Sequence, residues 1–204
     1  MIDESFISGA VGEGVNTRAA AHDGMDAKPE FFDVLDENGE KTGRAKLRQE
    51  VHRDGDWHRS VDVFVVRGDE LLLQKRCATK DSYPDMWDLS CGGHISAGES
   101  SLETAVRELG EELGLEVQSS DLKFVESFKS SARPAPDFIN NSFNDMYILQ
   151  TQARLDELKF QEEEISALKY VPIVDFREMV EREAKDLVPH RQMYAKFFEI
   201  MDEV

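Results

Sequence analysis

Between Gly93 and Leu115 the chain reads GHISAGESSLETAVRELGEELGL, which specifies a helix and gives it a distinctive polar face. Ser100 followed by Glu103 forms a capping box, and Leu102, Val106, Leu109 and Leu113 recur at helical spacing. Gly114 follows the last periodic residue, so a short amphipathic helix with both ends marked is predicted. Helical residues advance by about 100°, which sets Glu111 about 60° to one side of Glu108 and Glu112 about 40° to the other. The three carboxylates therefore share one fan. Unit charges about 4 Å apart repel by roughly 4 kcal/mol at an effective dielectric near 20. A hard divalent cation relieves that repulsion directly, and carboxylate oxygens suit Mg²⁺ or Mn²⁺. The competing reading is a solvated acidic face that binds nothing.

The same stretch resembles the Nudix box, Gx5Ex7REUxEExGU with U aliphatic. Gly93, Glu99, Arg107, Glu108, Leu109, Glu111, Glu112, Gly114 and Leu115 fill every fixed position. The resemblance implies an α/β (α+β) Nudix fold, a mixed β-sheet sandwiched between α-helices, and a metal-dependent diphosphate hydrolase. It further implies that Glu108, Glu111 and Glu112 hold Mg²⁺ or Mn²⁺, with the Gly93 carbonyl as another ligand. Arg107 would pair with Glu99 and hold the loop on the helix. The water's proton would pass to Glu111 or Glu112.

The remaining sequence bounds this reading. A length of 204 residues, 40% hydrophobic and 32% charged, suits one domain, taken as residues 30–204 behind a flexible arm at 1–29. The net charge of −18 argues against broad nucleic-acid binding, and a polyanionic substrate would need metal and local basic residues to approach. Two cysteines without disulfide-like spacing point to a reducing compartment. With no long apolar run and no basic leader, a soluble cytoplasmic protein without a membrane partner is expected. The pattern admits a homodimer but does not set the oligomeric state.

Along the chain, FFDVL predicts a strand and DENGE a reversal, and VDVFVV and LLLQKR predict a hairpin around Arg67-Gly68-Asp69-Glu70. LEV, LKFVESF, FNDMYILQTQA and ISALKYVPI read as further strands, and SARPAPDFINN as a loop. Two helices close the chain, one in DFREMVEREAKDL and one starting at Pro189. Arg44, Lys46, Arg48, His52, Arg53, His58 and Arg59 form a basic segment that either accepts phosphates or pairs with nearby acids. Lys75 and Arg76, at the end of the second hairpin strand, are expected with His58, Arg59 and His94 to face the substrate, and the loops around Ser130 to Asn141 to select it.

From Phe31 to about Tyr147 the chain also resembles isopentenyl diphosphate isomerases, a Nudix subgroup. EVHRDGDWHR, WDLSCGGHISAGES and the region from FINN to FND carry that likeness, and His58 and His94 match histidines of the isomerase metal site. Gly92, however, stands where the isomerase has its reactive cysteine, and Cys91 lies one residue early. The stretch Asn141-Ser142-Phe143-Asn144-Asp145 also lacks the isomerase's glutamate pair. Hydrolysis of a nucleoside diphosphate-X type substrate is the favoured reading. Isomerisation and a non-catalytic nucleotide sensor are its alternatives.

Overall fold

The computed structural model describes residues 29–203 apart from Asp81. The arm expected at 1–29 thus lies, Pro29 excepted, outside the described residues. Strands β1 (Phe31–Leu35) and β2 (Lys41–Leu47) pair antiparallel around a turn in which Asp36 Oδ1 accepts from the backbone of Asn38 and Glu40. A seven-residue helix, α1 (Arg48–Asp54), ends at Gly55 in the left-handed region, φ 72°, and leads into the central strand β3 (Trp57–Arg67). The strand that follows, β4 (Glu70–Arg76), completes the expected hairpin across the turn at Gly68 and Asp69.

That hairpin is closed only at its turn. β3 meets β4 at Arg67↔Glu70 and Val66↔Leu71, and then the two strands part. β4 continues alongside β5 (Trp87–Asp88), whereas β3 continues alongside β6 (Cys91–His94), from Val63↔Cys91 to Ser60↔His94. Ser90, between β5 and β6, ties the crotch of this fork. Its hydroxyl donates to the Leu72 carbonyl at 2.6 Å and accepts from the Val65 N–H at 2.8 Å, with the residue fully buried. On its other side β3 runs parallel to β8 (Phe138–Gln150), which pairs with β7 (Leu122–Ala135). β9 (Ile165–Pro172) lies on the far side of β4.

Alternation along β3 supplies a core on each face, as period 2 requires. Val61, Val63 and Val65 join Leu72 and Cys91 against Ala105, Leu109 and Leu113 of α2 (Ser101–Leu113). Phe64 and Val66 join Leu71, Leu73 and Met146 against Phe176 of α3 (Ile173–Glu181) and Tyr194 and Phe197 of α4 (Arg191–Asp202). This is a mixed sheet sandwiched between helices. The predicted ends of α2 are both present: Ser100 and Glu103 form the reciprocal capping box, and Gly114 takes φ 67°.

Four expectations are corrected. Leu115 to Val117 form no strand; the Leu115 N–H bonds back to Leu109, and Leu115 and Val117 pack as loop residues on the core. The segment expected as a loop is a hairpin, with Ser130↔Ser142, Ser131↔Asn141 and Ala132↔Asn140 in register. Polar cross-strand pairs replace apolar alternation there, Ser131 Oγ donating to Asn141 Oδ1 at 2.7 Å, so the sequence carried no strand period. The register slips between Ala132 and Ala135, where Pro134 and its missing N–H are tolerated. The last two helices are shorter than expected: α3 stops at Glu181, and α4 starts at Arg191, two residues after Pro189.

Replacing Ser90 with Ala leaves the Val65 N–H and the Leu72 carbonyl buried without this partner. It is expected to cost about 2 kcal/mol, measured as a lower urea midpoint at unchanged m-value.

Candidate active site

A cavity of about 820 Å³ opens where the fork parts, walled by Asp62 of β3, Arg76 of β4, Asp88 of β5, Gly93 of β6 and the polar face of α2. Glu112 is 7% exposed and accepts a hydrogen bond from the Gly92 N–H at 3.3 Å. The Glu108 side chain is 13% exposed and the Glu111 side chain 51%, so the fan has two inward members and one at the rim. Arg107 spans the group, 3.0 Å from Glu108 Oε1, 2.9 Å from Glu111 Oε2 and 3.3 Å from Glu99 Oε2. Thr104 Oγ1 donates to the same Glu99 oxygen at 2.9 Å, so Glu99 anchors both the loop before α2 and its arginine.

Gly93 has a specific reason to be glycine. A Cβ there would lie 2.1 Å from Glu108 Oε1 and 2.3 Å from Cδ, so the carboxylate occupies the place of a side chain. Burial, then the charge of Glu112, pushes the Glu108 carboxyl from 4.5 up to about 7, with Arg107 opposing. Burial raises Glu112 as well, against hydrogen bonds from Cys91 and Gly92. Two crowded, half-compensated carboxylates pressed against a glycine backbone fit a divalent cation, which Glu108, Glu112, Glu111 and the Gly93 carbonyl could hold.

Beside them stand three imidazoles. His52 of α1, His58 of β3 and His94 of β6 each offer a ring nitrogen, all within 4.8 Å of one another. Phe32 stacks on His58 and His94, with centroids 5.3 and 4.8 Å away, and Phe138 stacks on His52 at 4.3 Å. Burial, then the neighbouring His52, lowers His58 to about 4, and burial with Arg48 takes His94 well below its ordinary value. Both rings are therefore neutral at pH 7, the form that ligates a borderline transition ion. His52 was read in the sequence only as part of a basic segment. Its place beside the other two rings is not legible in the sequence, because the turn of α1 is what brings it to His58.

The cavity sorts the other expected residues. Arg76 and His94 line it, but Arg76 is engaged by Asp88 at 3.1 Å and by the Ser82 carbonyl at 3.0 Å. Lys75, Arg59 and His58 do not line it. Lys75 lies 3.8 Å from Asp85 beyond the strand end, and His58 is fully buried among the rings. Arg59, on the opposite face of β3 from His58, binds Asp145 at 2.6 Å. From the basic segment only Arg48 reaches the cavity, whereas Arg53 pairs with Asp54 and Lys46 with Asp54 and Asp56. Lys80, Asp62, Asp88, His190 and Arg191 line it without having been singled out. Ser130, Ser131, Ala132, Phe138 and Asn140 also line it, within the segment expected to select the substrate.

The NUDIX domain family matches residues 56–197. Nudix hydrolase 3 of Arabidopsis thaliana is 45% identical over 179 residues, 84% of this chain but 23% of that protein's length. An uncharacterized Nudix hydrolase of Clostridium acetobutylicum is 36% identical over 71% of this chain and 70% of its own. An isopentenyl-diphosphate Delta-isomerase of Dinoroseobacter shibae is 30% identical, over 71% and 81%. Among solved structures, DR0079 from Deinococcus radiodurans superposes with a TM-score of 0.59 at 23% identity, covering 81% of this chain and 96% of that one. The NUDIX domain of Shewanella oneidensis NrtR, solved with ADP ribose, gives 0.54 at 19%, over 70% and 87%. At these identities the structural likeness shows the fold.

Two outcomes follow from the crowding of Glu108. Its folded value of about 7 lies above the ordinary 4.5, so its contribution to stability is full below pH 4.5 and is lost as pH rises through about 7. At about 1.4 kcal/mol per unit, the metal-free chain should gain about 3 kcal/mol relative to wild type at pH 8 on Glu108→Gln and almost nothing at pH 4, by urea melts. Gly93→Ala should displace that carboxylate and weaken Mn²⁺ binding at least about tenfold, read by calorimetry on the folded variant.

Proposed function

The chain belongs to the Nudix hydrolase family, and from that premise we propose that it hydrolyses the diphosphate bond of a nucleoside diphosphate-X type or related small molecule with activated water. The observation that carries this reading is the packing of Glu108 against Gly93 and of Glu112 against Gly92 on one wall, with cationic side chains elsewhere on the cavity lining. The resident cation is taken to be Mg²⁺ or Mn²⁺. Bound at Glu108, Glu111, Glu112 and the Gly93 carbonyl, it would supply Lewis acidity and a more acidic bound water.

The residues of the chain divide the remaining work. Arg48, Lys80 and Arg191, although paired with Glu30, Glu164 and Glu183, line the cavity and bring positive charge toward the phosphates in a protein of net charge −18. Arg107 and Glu99 act through the carboxylates, holding the loop and α2 in one geometry. Glu111 or Glu112 accepts the proton of the attacking water; Glu111 stands at the wet rim and Glu112 within the cavity. The hairpin residues Ser130, Ser131 and Asn140 face the group beyond the diphosphate and select it. Free thiols at Cys77 and Cys91 fit a reducing compartment, which we read as the cytoplasm. Among the described residues no helix is long and apolar enough to cross a membrane.

One observation favours the isomerase as a second reading: the three clustered imidazoles. Against it, Cys91 is fully buried in the apolar layer under α2, its thiol raised well above the ordinary range by burial and by Glu112 and Glu108. A thiol so placed neither reaches a substrate in the cavity nor yields its proton readily.

The deciding experiment incubates the chain with Mg²⁺ and a panel of nucleoside di- and triphosphates, ADP-ribose, dinucleotides and isopentenyl diphosphate, with product detection. Hydrolysis of a panel member is expected, lost with EDTA and lowered roughly 10²-fold or more by Glu112→Gln. Cys91→Ala should leave it nearly unchanged. Isomerisation of isopentenyl diphosphate that depends on Cys91, without hydrolysis, would replace this reading.

A further inference from the structure

The cavity lining also carries a group with no part in the chemistry above. The segment entering α4 is bound to β5 through its backbone: the Trp87 N–H donates to the Asp186 carbonyl at 2.7 Å, and the Val188 N–H donates to the Trp87 carbonyl at 2.9 Å. This parallel bridge delivers His190 beside Asp88, with Nε2 2.8 Å from Oδ1. Asp88 is itself buried and cannot swing. Its Oδ2 accepts from Arg76 at 3.1 Å, and its Oδ1 accepts from the Leu89 N–H at 2.8 Å. Tyr194 sets its ring edge-on to the imidazole, with centroids 5.7 Å apart. The His190 side chain is 25% exposed, lines the cavity, and has no hydrogen-bond partner for Nδ1 among the described residues.

A histidine oriented by a buried carboxylate at one nitrogen presents the other as a fixed donor. We propose that His190 is a substrate-binding residue whose Nδ1–H donates a hydrogen bond to a non-bridging phosphate oxygen of the diphosphate, the substrate class of the preceding section, on which this inference rests. Asp88 is its positioning residue. The facing groups favour the donor form: burial opposes the imidazolium, but Asp88 and then Asp62 raise it above its ordinary range, with Arg76 opposing. A charged donor to a phosphate oxygen is roughly twice as strong as a neutral one, and it sits where an otherwise acidic chain needs positive charge. The purely structural alternative makes the His190–Asp88 contact a latch that fastens α4 to β5. A latch predicts lost stability and unchanged anion affinity.

The test titrates the full chain with inorganic pyrophosphate in Ca²⁺ by calorimetry, which needs no turnover. His190→Asn, which can still meet Asp88, and Asp88→Asn are compared with wild type, with folding checked by thermal melts. Affinity is expected to fall about tenfold in His190→Asn and three- to tenfold in Asp88→Asn. In the wild type, the His190 imidazole nitrogen resonances should move on addition of pyrophosphate, a readout that survives even if the variants fold poorly. Equal affinity within twofold, or an imidazole signal that does not move while pyrophosphate binds, overturns the inference. If the chain hydrolyses the panel but shows that result, only the inference falls. A chain that neither hydrolyses the panel nor binds pyrophosphate removes the parent reading and the inference with it.

Discussion

The site depends on one local constraint, the parting of β3 and β4 after only two residue pairs. Strands that separate expose backbone donors and acceptors, and an open fork inside a core is costly unless those groups find partners. The Ser90 hydroxyl, bonded to one strand on each side, satisfies both at the crotch. β5 and β6 then take over the pairing, one with each arm. A cavity can open between the arms because the hydrogen bonds given up between β3 and β4 are remade with β6 and β5. Gly93, Asp88, Arg76 and Asp62 meet at it for that reason alone.

Electrostatics then divides the cavity. On the α2 wall, negative charge is concentrated and buried beyond what Arg107 neutralises, which pushes Glu108 upward. The neighbouring imidazoles are driven the other way, toward neutrality, by burial and by mutual repulsion. Across the cavity, burial opposes charge on His190, but Asp88 biases its imidazole toward the protonated form. Carboxylates, neutral imidazoles and an imidazole biased toward its charged form are thus set by their surroundings within one chain of strongly negative charge.

The basic residues show how little a charge count says about use. Arg59, Lys46 and Arg53 are absorbed by Asp145, Asp54 and Asp56, pairs that organise β2, α1 and β8 and leave no free cation for a ligand. Arg48, by contrast, lies 3.1 Å from Glu30 and still reaches the cavity. Arg76 does both tasks, lining the cavity while bracing Ser82 and Asp88.

What the sequence determined by itself is local. The capping box at Ser100, the αL glycine at 114 and the apolar stripe of α2 are neighbours along the chain, so the helix and the order of its carboxylates were legible from spacing, as was the reversal that makes the β3–β4 hairpin. Membership of a family with a mixed sheet between helices followed from nine fixed positions. What the tertiary structure decided is everything that joins distant residues. Period-based reading could not find the β7–β8 hairpin, because polar cross-strand pairs had replaced its apolar alternation. Nor could it choose among Arg48, Arg59 and Lys75, since their fate depends on acids far away in sequence. The meeting of His52 with His94, and of His190 with Asp88 across 102 positions, is set by strand pairing and the fork. Spacing along a chain encodes the period of a helix or a strand, but it carries no record of which strands part and what then faces the gap.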